Sequence, residues 1–368
     1  MLKTVGHILT TVLAGLLLAG CGIYDDPVED VVVDEPSVVL SLNIEVSDAP
    51  AVKGYADPEF AGEMMQTLRI VIVRPDGIVE HNRLLDLASD PKLLVTDQKF
   101  EVKGNELKDV YLIANESNLK SKSAFDFSLI PAGGVIQSER MASLAMSMGS
   151  NEDLLELPVP MSASYKIMMP QTDVAADMEI FRSAAKFTFR FINETEYTYD
   201  LTRIKISKAA HKEFFFPSEI TLGDYSYTES GVTVTGSQIT EYSVPSDAGY
   251  YDFVRNYDSH LIMGWAGSGK LNAPEVCKLT PLYIFEGKHV DEASDGKNYK
   301  VTFVLNGREF EKYLPALSEL PRNTHAVVTA RLTEQGVLDW FDVNLDVDVR
   351  PYTELPYGDV ELEPGFGL

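Results

Sequence analysis

Many short segments of this chain alternate apolar and polar side chains residue by residue, and this period of two strongly constrains the fold. The clearest examples are "VVLSLNIEV" (38–46), "AKFTFRFIN" (185–193) and "DVNLDVDV" (342–349). A β-strand points successive side chains to opposite faces, so these segments predict strands with one buried face. Further strand candidates are 67–73, 109–115, 166–170, 201–207, 281–287, 300–306 and 326–333. The pattern predicts an all-β chain of antiparallel β-sandwiches.

Helical signals are few by comparison. The best helix candidate is "SERMASLAMSM" (138–148), and residues 84–95 are predicted to hold a short helical turn. A chain of this length is expected to form two domains. The polar, acidic stretch "PQTDVAADME" (170–179) marks the boundary, which predicts an N-terminal domain over 37–174 and a C-terminal domain over 175–368.

The N-terminus resembles the signal of an exported, lipid-anchored protein. An apolar run from Ile8 to Ala19 is too short to cross a bilayer, which needs about 20 residues. It ends in "LAGC", where small residues precede Cys21. We therefore predict a signal peptide over residues 1–20 and acylation of Cys21, with palmitate among the acyl chains. The alternative is an ordinary secretory signal in which Cys21 is incidental.

The residues after Cys21 are acidic and contain no lysine or arginine. "GIYDDPVEDVVVDEP" (22–36) is typical of a solvated tether, which we place over residues 21–36. A first edge strand over Val31–Val33 is the alternative. The whole chain has a formal net charge of −25, which disfavours nucleic acid as a partner.

Cys277 is the only cysteine besides Cys21, so the mature chain is predicted to hold no internal disulfide. A lone cysteine of an exported protein is usually a small apolar residue of the core. A reactive or intermolecular thiol remains the other interpretation.

Two motifs resemble ligand sites without meeting their requirements. "GWAGSGKL" (264–271) has P-loop spacing, but Leu271 stands where Ser or Thr would hold magnesium, and Pro274 disfavours the helix that should follow. The alternating set Asp342, Asn344, Asp346 and Asp348 resembles the start of a calcium loop. Val347 replaces its turn glycine and Thr353 its final glutamate, so a strand is the better interpretation.

No residue pattern points to catalysis, to a metal or to a cofactor. The six histidines are scattered without metal-ligand spacing, and there is no nucleophile elbow. We predict that the chain is not an enzyme, with no catalytic residue, no cofactor and no metal.

The order of segments resembles the fimbrillin family of the Bacteroidales, the subunits of type V pili. The resembling segments are a lipoprotein signal with an acidic tether, "SVVLSLNIEV" (37–46), "TLRIVIVRPDGIVEHN" (67–82), "VYLIAN" (110–115), "VPM" (159–161), "IFRSAAKFTFRFIN" (180–193), "LYIFEG" (282–287) and "PRNTHAVVTARL" (321–332). Each segment is weak alone, and the evidence lies in their order along the chain.

The resemblance implies two transthyretin-like β-sandwich domains and a structural role in an adhesive fimbrium on the outer membrane. Its partners would be other fimbrial subunits, joined by donor-strand exchange, and the outer membrane, through the lipid on Cys21; the receptor is not indicated. In the family, an arginine-specific protease cuts after the first strand, and a strand of the next subunit fills the groove. Residues 342–364 are the candidate donor.

One segment departs from the family pattern. The segment after the first strand, "SDAPAVKGYADPEF" (47–60), contains Lys53 and no arginine, and the first arginine downstream is Arg69, within a predicted strand. Either another protease acts here, or the subunit keeps its lipid and serves as an anchor or accessory subunit.

A glycan-binding surface lipoprotein is the alternative function. Exposed aromatic side chains stack on sugars, and the candidates are "YYDFVRNY" (250–257), Trp265 and Trp340. Packing of these rings in the protein interior is the competing interpretation.

Overall fold

The computed structural model describes residues 36–47, 61–118, 126–148, 157–229, 232–262, 276–288, 299–314, 317–334 and 341–351. The fold is nearly all β, as the alternation predicts. Elements of the first half are β1 (Ser37–Val46), β2 (Thr67–Val73), β3 (Val79–Asp86), β4 (Leu94–Lys103), β5 (Leu107–Ala114), two 3-10 turns (Glu116–Asn118, Phe127–Leu129), α1 (Ser138–Ala142), β6 (Ala145–Ser147), β7 (Met161–Met168) and β8 (Val174–Arg182).

In the second half, the regular elements of the described residues are all strands. They are β9 (Ala185–Asn193), β10 (Tyr199–Ala210), β11 (Lys212–Phe214), β12 (Thr221–Glu229), β13 (Val232–Glu241), β14 (Tyr250–Ile262), β15 (Val276–Lys278), β16 (Leu282–Ile284), β17 (Gly287–Lys288), β18 (Lys300–Leu305), β19 (Arg308–Tyr313), β20 (Glu319–Leu320), β21 (Thr324–Glu334) and β22 (Phe341–Pro351).

The first half forms a seven-stranded sheet in the order β3-β2-β5-β7-β8-β1-β4. β7 and β8 share only two residue pairs, so the sheet is nearly interrupted between them. Strands on both sides of this near-interruption contribute side chains to one apolar core, for example Ile70 of β2, Leu112 of β5 and Leu42 of β1. β2 is buried on both faces, since Val71 and Val73 pack into a different cluster from Ile70.

The second half places two sheets around a second core. One sheet has the order β14-β10-β18-β19, and the other has the order β15-β9-β21-β22 with β16 also paired to β9. The alternating Phe187, Phe189 and Phe191 of β9 are buried against Phe303 of β18 and their neighbours. β12 and β13 form a separate two-stranded ribbon.

A third apolar cluster joins the two halves. It contains Tyr111 of β5, Met141 of α1, Phe216 after β11 and Phe285 after β16. β6 and β11 pair across the same region. The residues from 36 onward accordingly form one compact unit by their contacts.

Most predicted strands are confirmed, and the predicted helices are largely wrong. The helix expected over 138–148 ends at Ala142, and residues 145–147 form β6. The reason is visible in the sequence, because Leu144, Met146 and Met148 alternate with a period of two. The helical turn expected within 84–95 is instead the end of β3, a connection and the start of β4.

A tight turn at "RPDG" (74–77) joins β2 to β3, with Gly77 at a φ of 83° and its N–H donating to the Arg74 carbonyl at 2.9 Å. The predicted boundary between residues 174 and 175 falls at the first residue of β8, whose backbone pairs with β1. The division into two domains stays a prediction. Within the described residues, no helix is long and apolar enough to cross a membrane.

Candidate functional site

The first strand, β1, lies inside the first sheet rather than at its edge. It pairs in parallel with β8 on one side and antiparallel with β4 on the other. Leu40, Leu42, Ile44 and Val46 expose no surface, and Val38 is 5% exposed. Burial of one such side chain contributes about 1.5–3 kcal/mol, so β1 is a major part of the first core. Its residues fill a groove whose walls are β8 and β4.

Hydrogen bonds hold both ends of β1. At its start, the Val39 N–H donates to Asp173 Oδ1 at 2.8 Å, and the Gly104 N–H donates to the Pro36 carbonyl at 2.9 Å. At its end, the Ser47 N–H donates to the Ile180 carbonyl at 2.9 Å. The strand is therefore anchored along its whole length.

The carbonyl of Ser47 is bound by residues from two distant parts of the chain. Arg182 Nη1, at the end of β8, donates to it at 3.2 Å, and Asn323 Nδ2, just before β21, donates at 3.4 Å. Arg182 also donates to Asn323 Oδ1 at 3.1 Å and to the Glu63 carbonyl at 3.0 Å. The end of β1 thus contacts residues of both halves of the fold.

This polar cluster continues through the carboxylate of Glu63, which is 2% exposed. Lys186 Nζ lies 2.7 Å from Glu63 Oε1, and the Tyr283 hydroxyl donates to the same oxygen at 2.9 Å. A buried charge is tolerated only when it is paired and hydrogen-bonded, and Glu63 meets that condition. Local sequence patterns do not reveal this cluster, because its members are far apart in the chain.

The outer edge of β4 is covered by three side chains of β3, and we call this contact the β3–β4 seam. His81 Nε2 lies 2.7 Å from the Glu101 carbonyl, and Arg83 Nη2 donates to the Lys99 carbonyl at 3.1 Å. Glu80 Oε1 accepts from the Lys103 N–H at 3.0 Å. The two edge strands of the sheet therefore meet through side chains instead of a backbone ladder.

The ring of Phe100 on β4 strengthens the seam. The Arg83 guanidinium lies 4.2 Å from the centre of this ring, and the His81 ring lies 5.2 Å from it in an edge-on arrangement. Such cation–π and edge contacts are attractive because the ring face carries negative charge.

Lys53 follows β1 in the chain and lies outside the described residues, as does all of 48–60. Arg69 is predicted to lie within a strand, and this is confirmed, since it belongs to β2. Its side chain is 7% exposed and donates to Glu116 at 2.6 and 2.7 Å and to Asn82 Oδ1 at 2.7 Å. A protease that binds an extended arginine cannot reach it without unfolding of β2.

The candidate donor segment 342–364 is described only in part. Residues 341–351 form β22, which pairs antiparallel with β21 at the edge of its sheet. The strand predicted for "DVNLDVDV" is thereby confirmed over the calcium-loop alternative. Residues 352–364 lie outside the described residues.

A fully buried pair of carboxylates surrounds Arg322. Its Nη2 lies 2.6 Å from Glu286 Oε1 and 3.9 Å from Glu213 Oε1, and the Glu286 N–H donates to Glu213 Oε2 at 3.1 Å. Burial raises the pKa of Glu213 well above its usual range, and the Arg322 charge only partly opposes this. Burial lowers the pKa of Arg322, but the carboxylates outweigh it and leave that pKa raised.

A cavity of about 310 Å³ opens between β5, β7 and α1. Its polar groups already bind one another: Lys166 Nζ lies 2.6 Å from Asp109 Oδ1, and Ser138 Oγ donates to Asp109 Oδ2 at 2.6 Å. Burial raises the pKa of Tyr111 on its wall to about 12. These groups stabilise the packing of α1 on the sheet.

The structure brings a histidine to Cys277 that sequence spacing did not reveal. Cys277 on β15 is partly buried against the second core, and its Sγ lies 3.2 Å from His260 Nε2 on β14. Among the described residues, no group of His, Cys, Asp and Glu side chains could hold a metal ion.

The aromatic candidates for sugar binding are only partly described. Within 250–257, Phe253 is buried, Tyr251 packs on His211 with ring centres 4.6 Å apart, and Tyr250 is 46% exposed. Trp265 and Trp340 lie outside the described residues, as do the P-loop-like segment 264–271 and Cys21. The described rings mainly serve packing.

No protein-family model matches the sequence, and no curated protein matches it. The fold is similar to solved structures from the Bacteroidales. A candidate cell adhesion protein from Parabacteroides distasonis is 12% identical, with a TM-score of 0.49 over 85% of this chain and 96% of that one. A second candidate cell adhesion protein, from Bacteroides eggerthii, is 12% identical, with a TM-score of 0.49. The alignment covers 87% of this chain and 97% of that one. The tip fimbrial protein Mfa3 from Porphyromonas gingivalis, with a C-terminal truncation, is 11% identical, with a TM-score of 0.48 over 86% and 100%.

Proposed function

We propose that this chain is a structural subunit of an adhesive fimbrium at the bacterial outer membrane, attached through a lipid on Cys21. Neighbouring subunits would join by strand exchange, in which an extended segment of one chain replaces β1 of the next. The partners are other fimbrial subunits, and the reaction needs neither a catalytic residue nor a cofactor. The observation that carries the proposal is the placement of β1 between β8 and β4 with four fully buried side chains.

The position of β1 in the chain makes it suitable for replacement. It is the first strand of the described chain. Residues 48–60 connect it to the described residues from 61 onward, which lead into β2. A single cut in that segment would allow β1 to leave without threading the rest of the chain. Its departure would leave unpaired backbone groups on β8 and β4 and apolar pockets between them, which an incoming strand can satisfy.

The candidate donor has a sequence pattern that matches these pockets. Val343, Leu345, Val347 and Val349 are spaced two residues apart. Leu40, Leu42, Ile44 and Val46 of β1 have the same spacing and the same apolar character. Because β22 is an edge strand, it would leave its own sheet by breaking one ladder only.

The proposal is tested with the mature chain carrying a specific protease site inserted within residues 48–60. After cleavage and removal of the released β1 segment, a labelled peptide of residues 342–364 is added, and its binding is followed by fluorescence anisotropy. We expect binding to the cleaved chain and none to the intact chain, because β1 occupies the groove. Subunits joined by a donated strand are expected to run as a ladder of oligomers on a detergent gel, and the ladder should collapse only after boiling.

The matched control is a peptide in which Leu345 and Val347 are replaced by aspartate, since a charged side chain cannot enter an apolar pocket without a large cost. Equal binding of both peptides, or binding of neither by the cleaved chain, contradicts strand exchange at this groove. Wild-type surface fibres after deletion of the gene would contradict the role in a fimbrium.

A further inference from the structure

The β3–β4 seam has a consequence for the groove that strand exchange would open. Between residues 94 and 103, the backbone of β4 forms a ladder with β1 and, among the described strands, with no other. If β1 leaves, this ten-residue strand loses that ladder. The bond from the Gly104 N–H to the Pro36 carbonyl leaves with it, because Pro36 belongs to the departing segment.

Few other backbone contacts would then hold β4. The bridge between Met65 and Lys92 lies before its first residue. Val95, Phe100 and Val102 point into the first core, but they pack there together with the side chains of β1. The second half of β4 would therefore depend on the seam and on the turn that follows it, where the Asn105 N–H donates to the Pro170 carbonyl at 3.2 Å.

The seam is built on the side of β4 that faces away from β1. The carbonyls of Lys99 and Glu101 and the N–H of Lys103 are the groups bound by β3 side chains. None of these bonds involves β1, so all three can persist when β1 is absent. The Arg83 and His81 contacts with the Phe100 ring can persist as well.

We propose that Glu80, His81 and Arg83 are positioning residues that hold β4 in place while the groove is empty. If β4 stays ordered in the empty groove, binding of the incoming strand does not have to order it. The entropy cost thereby avoided is about 1–2 kcal/mol for each backbone residue of β4. This inference rests on the proposed function, because it concerns the groove that β1 vacates.

Glu80 is fixed for this role by a buried lysine of β5. Lys108 Nζ, which is fully buried, lies 2.6 Å from Glu80 Oε2 and 2.5 Å from Glu106 Oε1. One carboxylate oxygen of Glu80 therefore binds Lys108 and the other binds the Lys103 N–H. The ion pair with Lys108 thus orients the Glu80 carboxylate as the acceptor of the Lys103 N–H.

The alternative role of the seam is simply to cover two exposed edges or to stabilise the intact chain. The two roles differ in which form of the protein depends on the seam. A covering role would weaken the intact and the β1-free chain alike. A positioning role would affect mainly the β1-free chain, because in the intact chain the ladder with β1 already holds β4.

The test compares the wild type with the double variant His81→Ala and Arg83→Ala, both carrying the protease site within 48–60. A peptide of residues 37–47, added to the cleaved and β1-depleted chain, reports on refilling of the groove. We expect the variant to bind this peptide at least about tenfold more slowly than the wild type, with hydrogen exchange of the 99–103 amides accelerated. The intact variant should exchange these amides as slowly as the intact wild type.

The matched control is Arg203→Ala with Lys205→Ala, which removes two cations on β10 that pair with Glu309 and Asp252. Equal association rates for the seam variant and the wild type, or equal loss of protection in intact and cleaved chains, would overturn the inference. If the 342–364 peptide does not bind the cleaved chain but the 37–47 peptide does, the proposed donor is contradicted. The 37–47 peptide still tests the role of the seam in that case.

Discussion

At the scale of single residues, the interior of this protein contains more charge than its alternating sequence indicates. Arg182, Arg322, Lys108 and Glu213 are all fully buried. Burial of an ion is costly unless partners compensate, and the three cations each have an ion pair or a hydrogen bond to an oxygen below 3.3 Å. Glu213 is different, because its Oε1 has no hydrogen-bond partner and lies 3.9 Å from Arg322.

Glu213 should make stability depend on pH in a specific direction. Its folded-state pKa is raised well above the ordinary value of 4.5, mainly by burial. The protonated form is then favoured by folding, so its contribution to stability is fully present below pH 4.5 and is lost as pH rises through the folded pKa. The loss is at most about 1.4 kcal/mol per pH unit.

The variant Glu213→Gln keeps the shape of the neutral acid and removes its titration. We expect the free energy of unfolding of the wild type, measured with urea between pH 5 and pH 8, to fall more steeply with pH than that of the variant. The other titrating groups are common to both proteins, so the difference in slope isolates Glu213. Parallel slopes would show that Glu213 is ionised in the folded chain.

At the scale of elements, β1 is the strand whose side chains define the groove. Leu42 lies at its centre and exposes no surface, so Leu42→Ala should lower the free energy of unfolding by about 2–5 kcal/mol through lost burial and a cavity. The neighbouring Ser41 lies on the other face, and Ser41→Ala should change it by less than about 0.5 kcal/mol. Urea unfolding of the intact chain measures both, and equal effects would place the apolar face of β1 outside the core.

Strands with a strong period of two were predictable from the sequence almost to the residue. β9 was expected over 185–193 and is found there, because three alternating phenylalanines define its buried face. β1 was expected over 38–46 and begins one residue earlier, at Ser37. Local alternation determines which side chains can be buried, and it therefore determines the strand.

Elements with few apolar residues were missed. β4 has only Val95, Phe100 and Val102 buried among polar neighbours, so its alternation is limited to the short stretch 99–103. The ribbon of β12 and β13, rich in Thr, Ser and Tyr, was missed for the same reason. Three further features were not predictable: the pairing of β1 with both β8 and β4, the hydrogen bonds from Arg182 and Asn323 to the Ser47 carbonyl, and the β3–β4 seam. All three depend on contacts between residues far apart in sequence, which local patterns do not encode.

At the scale of the whole molecule, the end of β1 is connected to both cores. Its Ser47 carbonyl is bound by Arg182, at the end of the last strand of the first sheet, and by Asn323, which precedes β21. The Asn323 N–H in turn donates to the Ala184 carbonyl at 2.8 Å, just before β9. Departure of β1 would therefore break contacts at the junction of the halves as well as in the groove.

In the proposed fibre, the position of this chain would depend on whether the segment after β1 can be cut. Lys53 is the only basic residue between Val38 and Leu68, and Arg69 is buried and bound by Glu116. An arginine-specific protease should therefore leave the folded wild-type chain joined to β1. The variant Lys53→Arg places an arginine in the segment at constant charge, and we expect the same protease to cut it there.

The consequence for assembly can be measured on the same two proteins after this treatment. Mass spectrometry maps the cut, and anisotropy reports binding of the labelled 342–364 peptide. We expect the cut Lys53→Arg chain to accept the peptide and the treated wild type to refuse it, because only the former can release β1. In a cell whose processing enzyme is arginine-specific, the wild-type chain would then keep the proposed lipid on Cys21 and stay at the base of the proposed fibre. Cleavage of the folded wild type next to Arg69, or peptide binding by the uncut chain, would contradict this assignment.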